Sequence, residues 1–419
     1  ALGEGVSASM NTGAFSVEVN ESSFAMISSS AGLALKADGE FAITGGEFSD
    51  VSASFASLVY NNSNVAYDDY TINLGTSSYT VDDIAASDSL LKISAVDLNA
   101  TIAGMFSFSG DVDFSSDGST VEFISSNASV GLFAGSTSVG VKNANVGFSI
   151  NSSGKKVLEA NGGLSASLGD NIDISASSST IFFKDADYVI DNSNQTLAVG
   201  ATSFTFSNEL LGSDAYSEAR VTGASLELDS FFYAAGNFAF KQSSVSLKDS
   251  NGNDVSADVL TLGASSVDVF AGLNANTAEA TGFMLAGANF ALAIVNEKTG
   301  QKRVWNTLKA SASNVGAIGF DDLTLTGSNL SIEINTKSND DTYIDYSDTS
   351  LDVYTSTNTK ETFDYGTSFS KLSGSLDITV GEFVNFTGNL GFFKSNETLT
   401  LDDGSQIDAE VLTLGTSNA

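Results

Sequence analysis

The chain contains no proline, no cysteine and no histidine in 419 residues. At ordinary usage a chain of this length carries on the order of twenty prolines. Proline cannot donate to a sheet ladder and is confined to edges, turns and bulges, so its absence suits continuous β structure. Without cysteine there are no disulfides and no thiolate chemistry. Without histidine, catalytic triads and most transition-metal sites are lost as well. Basic residues are scarce too: 17 Lys and Arg stand against 51 Asp and Glu, giving a formal net charge of −34. Nucleic acid and anionic lipid both require cationic footprints, so neither is expected as a partner. Long apolar runs are also missing. The most apolar window, GFMLAGANFALAIV at 282–295, falls short of the roughly 18–20 residues that span a bilayer, and no membrane insertion is expected. No secretory signal opens the chain, which starts at Ala1, so it reads as a processed product or an excerpt.

What is present points to a packed β protein. Hydrophobic residues make up 42% of the chain and include 29 Phe, a composition that excludes general disorder. Their spacing alternates. The stretch Leu323 to Asn335, LTLTGSNLSIEIN, has alternating runs on either side of Gly327, Ser328 and Asn329. Alternation means a strand with one face buried and one face wet. Gly and Asn tolerate the backbone angles of a corner, so Gly327→Val is expected to damage stability or assembly. The same design recurs in VGVKNANVGFSI (139–150), ARVTGASLEL (219–228) and FMLAGANFALAI (283–294), with corners near 201, 223, 264, 288, 312 and 327. The best helix-like stretch is DDIAASDSLLKI at 82–93, with an Asp-rich start and apolar residues three to four apart.

Longer repeats enclose these units. SADVLTLGAS (256–265) returns as DAEVLTLGTS (408–417), with Val259 and Val411 separated by 152 positions. Gly236 and Gly388 share the same spacing, and Phe240 and Phe392 each follow their glycine by four. ANVGFSI (144–150) matches ANFALAI (288–294), and IDISASSSTIFF (172–183) matches LTLTGSNLSIEI (323–334). The expected organisation is a partial, divergent repeat over 1–94, repeats over 95–224 and 225–374, and the start of a further repeat over 375–419. NVAYDDYTINLGTSSYTVDD (64–83) departs from the pattern and reads as a specialised insertion.

Short strands with small-residue corners at near-regular spacing predict an all-β, β-solenoid-like fold with almost no helix; stacked β-sandwich modules are the alternative. With coils of ~22 residues stacked at ~4.8 Å, the solenoid would be a rod about 9 nm long. The ordered elements FAG, ANFALAIV, a polar hairpin, LKASASNV, IGFDDLTLTGSNLSIEIN and VLTLG resemble tandem repeats of giant secreted bacterial surface proteins. That resemblance implies an extracellular or cell-surface, structural or adhesive role and identifies no active site. The expected function is a non-enzymatic segment of a fibre, sheath or adhesin that associates with copies of itself or neighbouring repeats. A carbohydrate-binding or polysaccharide-degrading module is the competing class, with surface glycans as partners. Its aromatic platform would have to come from Tyr67, Tyr70 and Tyr79.

Two kinds of site residue stand out. Asp187 with Asp191, Asp341 with Asp345, and Asp249 with Asn251 lie in acidic turns that could supply oxygen ligands to Ca²⁺. The same turns also read as plain hairpins, because NG and DG are ordinary hairpin signals. Lys155 and Lys156 fall at a position matching Lys302 and Arg303, and the only tryptophan, Trp305, follows. These residues either protect strand edges or form an assembly contact with an acidic face of a neighbouring repeat or chain.

Overall fold

A computed structural model describes residues 2–417, apart from 12–14, 46–47, 82–83, 85, 87–89, 103–105, 117–119, 135–136, 168–171, 200–201, 229–231, 275–276, 322, 357, 382–383 and 403. The described residues are almost entirely β, with a single 3-10 turn at Asn208–Leu210. Among them, 22 strands join in one antiparallel sheet that does not close on itself, and six more form three separate hairpins.

The chain divides into two units, Ala1–Leu168 with Thr180–Tyr216, and Gly169–Ser179 with Ser217–Ala419. The first begins with β1 (Leu2–Asn11), β2 (Phe15–Ser29), β3 (Gly32–Gly45), β4 (Phe48–Ser52) and β5 (Phe55–Asn61). A hairpin of β6 (Tyr70–Leu74) and β7 (Ser77–Val81) interrupts the ladder. The ladder resumes with β8 (Leu90–Ile102), β9 (Phe106–Ser116), β10 (Thr120–Ala134), β11 (Thr137–Asn151) and β12 (Lys156–Ser167). β13 (Ile172–Ser175) belongs to the second unit, whereas β14 (Ser178–Lys184) leads into the hairpin of β15 (Thr196–Val199) and β16 (Thr202–Thr205).

The second unit continues with β17 (Tyr216–Leu228), β18 (Phe232–Asp249), β19 (Asp254–Leu273), β20 (Thr281–Glu297), β21 (Val304–Ile318) and β22 (Leu323–Asn335). The short β23 (Ile344–Asp345) and the hairpin of β24 (Leu351–Tyr354) and β25 (Lys360–Phe363) follow. β26 (Phe369–Val380), β27 (Val384–Thr400) and β28 (Gln406–Ser417) complete the ladder. From β17 to β22 each strand reverses direction and pairs antiparallel with the next.

This meander replaces the expected solenoid. Stacked coils would return in parallel to cover the preceding coil, whereas here DSNGND and LDDGSQ turn the chain straight back on itself. Gly252 at φ 79 and Gly404 at φ 82 supply the left-handed residue of those two turns. The helix expected over 82–93 does not form where it can be seen. Residues 90–93 begin β8, Ile84 bridges to Tyr67, and most of the remainder lies outside the described residues.

The corner expected near 201 lies outside the described residues; the other corners sit at or beside β-bulges. Mid-strand residues at positive φ include Asp97, Asn143, Gly223, Ser266, Gly287 and Asn329, close to breaks in the strand register or to a paired run. A bulge leaves an amide without its ladder partner. Several of these amides are taken up by an Asx side chain on the adjacent strand: Asp97 by Asp111 (3.0 Å), Gly223 by Asn237 (2.8 Å), Ser266 by Asn289 (3.0 Å) and Gly287 by Asp268 (2.8 Å). In the Gly327-Ser328-Asn329 corner the strained residue is Asn329, at φ 51. A Cβ on Gly327 would meet only ordinary contacts, at 3.5 Å and beyond, so the expected sensitivity of Gly327 belongs largely to its neighbour.

Bending at the bulges builds the core of the first unit. Phe108 lies opposite Val130, and Phe114 lies opposite Phe123. In a straight strand Phe108 and Phe114 would sit roughly 20 Å apart, at ~3.3 Å per residue. Instead the Phe108 and Phe123 rings meet edge to face at 4.7 Å. The two halves of the bent strands therefore close on each other, burying Phe114, Phe123, Phe148, Val130 and Val141 in one cluster. Each large side chain enclosed this way contributes about 1.5–3 kcal/mol of burial free energy.

Candidate functional site

On the other sheet face, polar residues at strand ends anchor covering segments, which we call caps. Among the described residues, three interruptions of the ladder, within 62–89, 185–215 and 336–368, each carry one hairpin and lay apolar residues onto the sheet. Val81 and Ile84 cover Ala25, Ala34 and Val59. Tyr188, Ile190, Leu197, Val199, Phe206 and Leu210 cover Ile124, Val157 and Phe182. Ile344, Tyr346, Val353 and Phe363 cover Val255, Val259, Ala293, Val295 and Trp305. The stretch at 64–83, read from sequence as an exceptional insertion, thus supplies a cap like the other two.

All three caps start in the same way. The residue after the strand, Asn62, Asp185 or Thr336, accepts a backbone hydrogen bond through its side chain from Leu33 (2.7 Å), Lys156 (2.8 Å) or Asn306 (2.8 Å). Its own amide donates to the carbonyl of that same residue. The preceding residue, Asn61, Lys184 or Asn335, is a buried polar latch. Asn61 Nδ2 donates to the Val65 carbonyl at 2.8 Å. Lys184 Nζ donates to the carbonyls of Leu210 (2.6 Å) and Gly212 (2.8 Å). Asn335 Nδ2 donates to those of Ile344 (3.0 Å) and Thr367 (2.9 Å). Burial pulls the Lys184 amine below its ordinary pKa, and the charge of Asp214 opposes that shift.

The second unit adds a charged clamp at the tip of β20 and β21. Arg303 donates to Glu297 (2.8 Å), Asp249 (3.1 Å) and Asp340 (3.1 Å), and its guanidinium lies 4.8 Å from the Trp305 ring centroid. Trp305 is fully buried and donates through Nε1 to the Thr342 carbonyl at 2.9 Å. The hydrogen bonds that Arg303 donates to Glu297 lead the factors that raise its pKa further above the ordinary value. The Asp340 carboxyl is held well below the usual carboxylate range, first by the hydroxyls of Ser338 and Thr342 and then by Arg303. For Asp249, burial acts upward but is outweighed by hydrogen bonds from Asn253, Arg303 and Asn251, leaving the pKa lowered.

These positions answer the sequence expectations residue by residue. Arg303 meets an acidic surface, but it belongs to its own unit, and Trp305 is buried among apolar side chains. Lys302 is exposed at the hairpin tip, at φ 57. Lys155 donates its amide to Asn151 Oδ1, and Lys156 ties down Asp185 at the start of its cap. Asp187 (φ 67) and Asp341 (φ 63) occupy equivalent left-handed turn positions. Asp191 accepts from Ser193, and Asp345 accepts from Ser347, in matching turns. Asp249 Oδ1 accepts the amides of Asn251 and Asn253, which closes its own hairpin. These carboxylates are engaged in turn geometry, and no group of three or more acidic side chains among the described residues is arranged to hold a metal ion.

Sequence reasoning missed the latches. Their signal is a polar pair ending an alternating run: Asn61-Asn62, Lys184-Asp185 and Asn335-Thr336. No protein-family model, curated protein or solved structure matches the chain.

Proposed function

We propose that the chain is a structural segment of an extracellular fibre, sheath or adhesin, in which repeats such as 95–224 and 225–374 extend one β ladder. The observation that carries this reading is pair-for-pair repetition of register. Asn237↔Ser265 through Lys248↔Asp254 in β18 and β19 recur as Asn389↔Ser417 through Thr400↔Gln406 in β27 and β28, every partner shifted by 152 positions. A repeat that reproduces its pairing reproduces its edges, so each module offers the next a matching strand. Caps close one sheet face locally, and stacked neighbours supply the burial that a single module lacks. The large negative charge suits solubility in salty surroundings.

Electron microscopy of the purified chain, with and without Ca²⁺, tests this. Regular rods or filaments are expected. Isolated compact particles that degrade a polysaccharide would overturn it. One observation favours a second reading as a glycan-binding module: Tyr70 is half-exposed, and its ring meets Tyr67 edge to face at 5.9 Å. Binding to immobilised glycans that is lost in Tyr70→Ala would support that reading.

A further inference from the structure

The cap at 336–368 covers one face of the second unit's sheet, and the opposite face has a different character. Residues directly opposed on neighbouring strands share a face, so their side chains stand in rows across the sheet. One row on the uncapped face runs Phe238, Ala264, Phe290, Ala310, Ile332 from β18 to β22. The row beside it, from Phe240 to Ile334, is wholly Phe, Leu and Ile. Beyond the bulges come Val269, Leu285 and Val315, then Ala271, Phe283 and Ala317. Val269, Leu285 and Val315 join one cluster with Phe238 and Phe290, so the rows on both sides of the bulges share this face. None of these positions is charged, in a chain where 16% of residues are.

The face is open to water. Phe240, Phe283 and Ile332 are 43%, 51% and 37% exposed, and each stands on a strand paired along both edges. Their exposure therefore belongs to the face and not to a strand edge. The first unit uses its bend differently, closing it to bury Phe108, Phe123 and Phe148. Soluble monomers rarely expose a contiguous apolar patch larger than a few hundred Å². Here the five strands β18–β22, ~4.8 Å apart, and residues 283–292 of β20, at ~3.3 Å each, outline a face of roughly 800 Å². A partner in a stable interface contributes about the same area, ~800 Å².

We infer that this face pairs, sheet on sheet, with the same face of a second copy of the chain. Two of its rows have a self-complementary relief. Large residues stand on β18, β20 and β22 at Phe238, Phe290 and Ile332, and small ones on β19 and β21 at Ala264 and Ala310. The same alternation returns in Ala271, Phe283 and Ala317. Ridges thus lie two strands apart with furrows between them, and a copy offset by one strand seats its ridges in the other's furrows. Sheets packed this way lie about 10 Å apart, with strand directions within about 30° of each other. The missing charge also favours a second copy. Two chains of formal net charge −34 repel where their charged surfaces meet, and these rows let them approach without that cost. A partner recognised by its charge finds nothing here to bind. The inference does not rest on the fibre reading, because pairing through one face ends at two copies, whereas growth along the ladder continues.

Sedimentation equilibrium of the full chain is the test. A dimer in the micromolar range is expected, and it should tighten as salt rises, because salt screens the repulsion between acidic chains. Phe283→Asp with Ile332→Asp should raise the dissociation constant about a hundredfold. Ala271→Trp fills an exposed furrow position without adding charge and should raise it about tenfold. Leu211→Asp, at an exposed position in the first unit, should leave it unchanged. Circular dichroism and the amide protection of residues 344–346 should be the same in every variant, which separates lost pairing from lost fold. An unsubstituted chain that stays monomeric at about 0.1 mM would overturn the inference whatever the variants do. Binding of that monomer to phosphatidylcholine vesicles would then assign the face to a lipid surface. Dimers that persist in both face variants, or that dissociate as salt rises, would overturn it as well.

Discussion

The caps at 185–215 and 336–368 cover the same kind of sheet face by different polar means. In the cap at 185–215 the latch is Lys184, a buried ammonium that satisfies two carbonyls. In the second it is Asn335, a neutral amide that satisfies two carbonyls while its Oδ1 accepts from Thr307 at 3.0 Å. The charge in the second cap lies instead at the tip, where Arg303 is surrounded by three carboxylates and stacked on Trp305. A lysine latch must bear the desolvation of its charge, whereas an asparagine latch has little to desolvate. The cap at 336–368 thus separates two tasks that the cap at 185–215 assigns to one side chain: satisfying buried carbonyls and fixing the cap by charge.

The most severe test of that separation is Trp305→Ala. It empties the centre of the second cap and removes the surface on which Arg303 lies, so a loss of about 3–5 kcal/mol is expected. Hydrogen exchange should show residues near Ile344 and Tyr346 opening while those near Tyr188 and Ile190 stay protected. Equal loosening of both caps would show that they do not hold independently.

A second test compares the latches directly. Asn335→Leu strands two carbonyls, at about 1–3 kcal/mol for each buried group left unbonded. Lys184→Met strands two carbonyls as well but also removes a buried charge, so its net cost should be smaller. Chemical denaturation of the two variants measures the difference. Acid and base should separate the caps further. The carboxyl groups of Asp249, Glu297 and Asp340 are all depressed in the folded chain. Their contribution is complete above the ordinary carboxylate pKa of about 4 and is lost as pH falls through the folded values. Lys184 is depressed too, but it is a base. The unfolded chain therefore holds its proton more tightly, and stability rises as pH climbs from the folded value towards about 10.4. Amide protection of 344–346 should fall first in acid, and that of 188–190 should gain most in mild alkali.

The smallest effects should come from the sheet beneath, with neither cap touched. Asn329→Ile forces a β-branched residue into φ 51 and should cost about 1–2 kcal/mol, whereas Asn329→Gly should be close to neutral. Gly327→Ala should shift stability by no more than about 0.5 kcal/mol. Thermal melts of the three variants decide whether the corner depends on its asparagine or on its glycine.

Alternation in LTLTGSNLSIEIN was enough to identify strands and a mid-strand corner, and the repeated VLTLG segments fall in β19 and β28, which share one register with the strand before them. Whether those strands stack as coils or fold as a meander does not show in alternation, which both arrangements share. The deciding signal was DSNGND and LDDGSQ, turns that reverse the chain. The caps were harder to read. Trp305 contacts Thr342, Lys184 contacts Leu210, and Asp185 contacts Lys156, all across stretches of chain whose pairing is known only once the sheet exists. A basic pair on an acidic chain reads as an exposed contact, and the neighbouring tryptophan gives no sign that its own unit will cover it.

The bulge row has a consequence for alignment. A strand that slips by one residue turns its apolar side chains to the wrong face and is rejected by the hydrophobic effect. A slip of two residues restores the faces and escapes that penalty. It would, however, carry Asn237 away from Gly223, Asn289 away from Ser266 and Asp268 away from Gly287, leaving each off-ladder amide without its acceptor. The Asx side chains therefore act as index marks for even-numbered errors, which the alternating pattern cannot detect, and each mark is read by the strand next door.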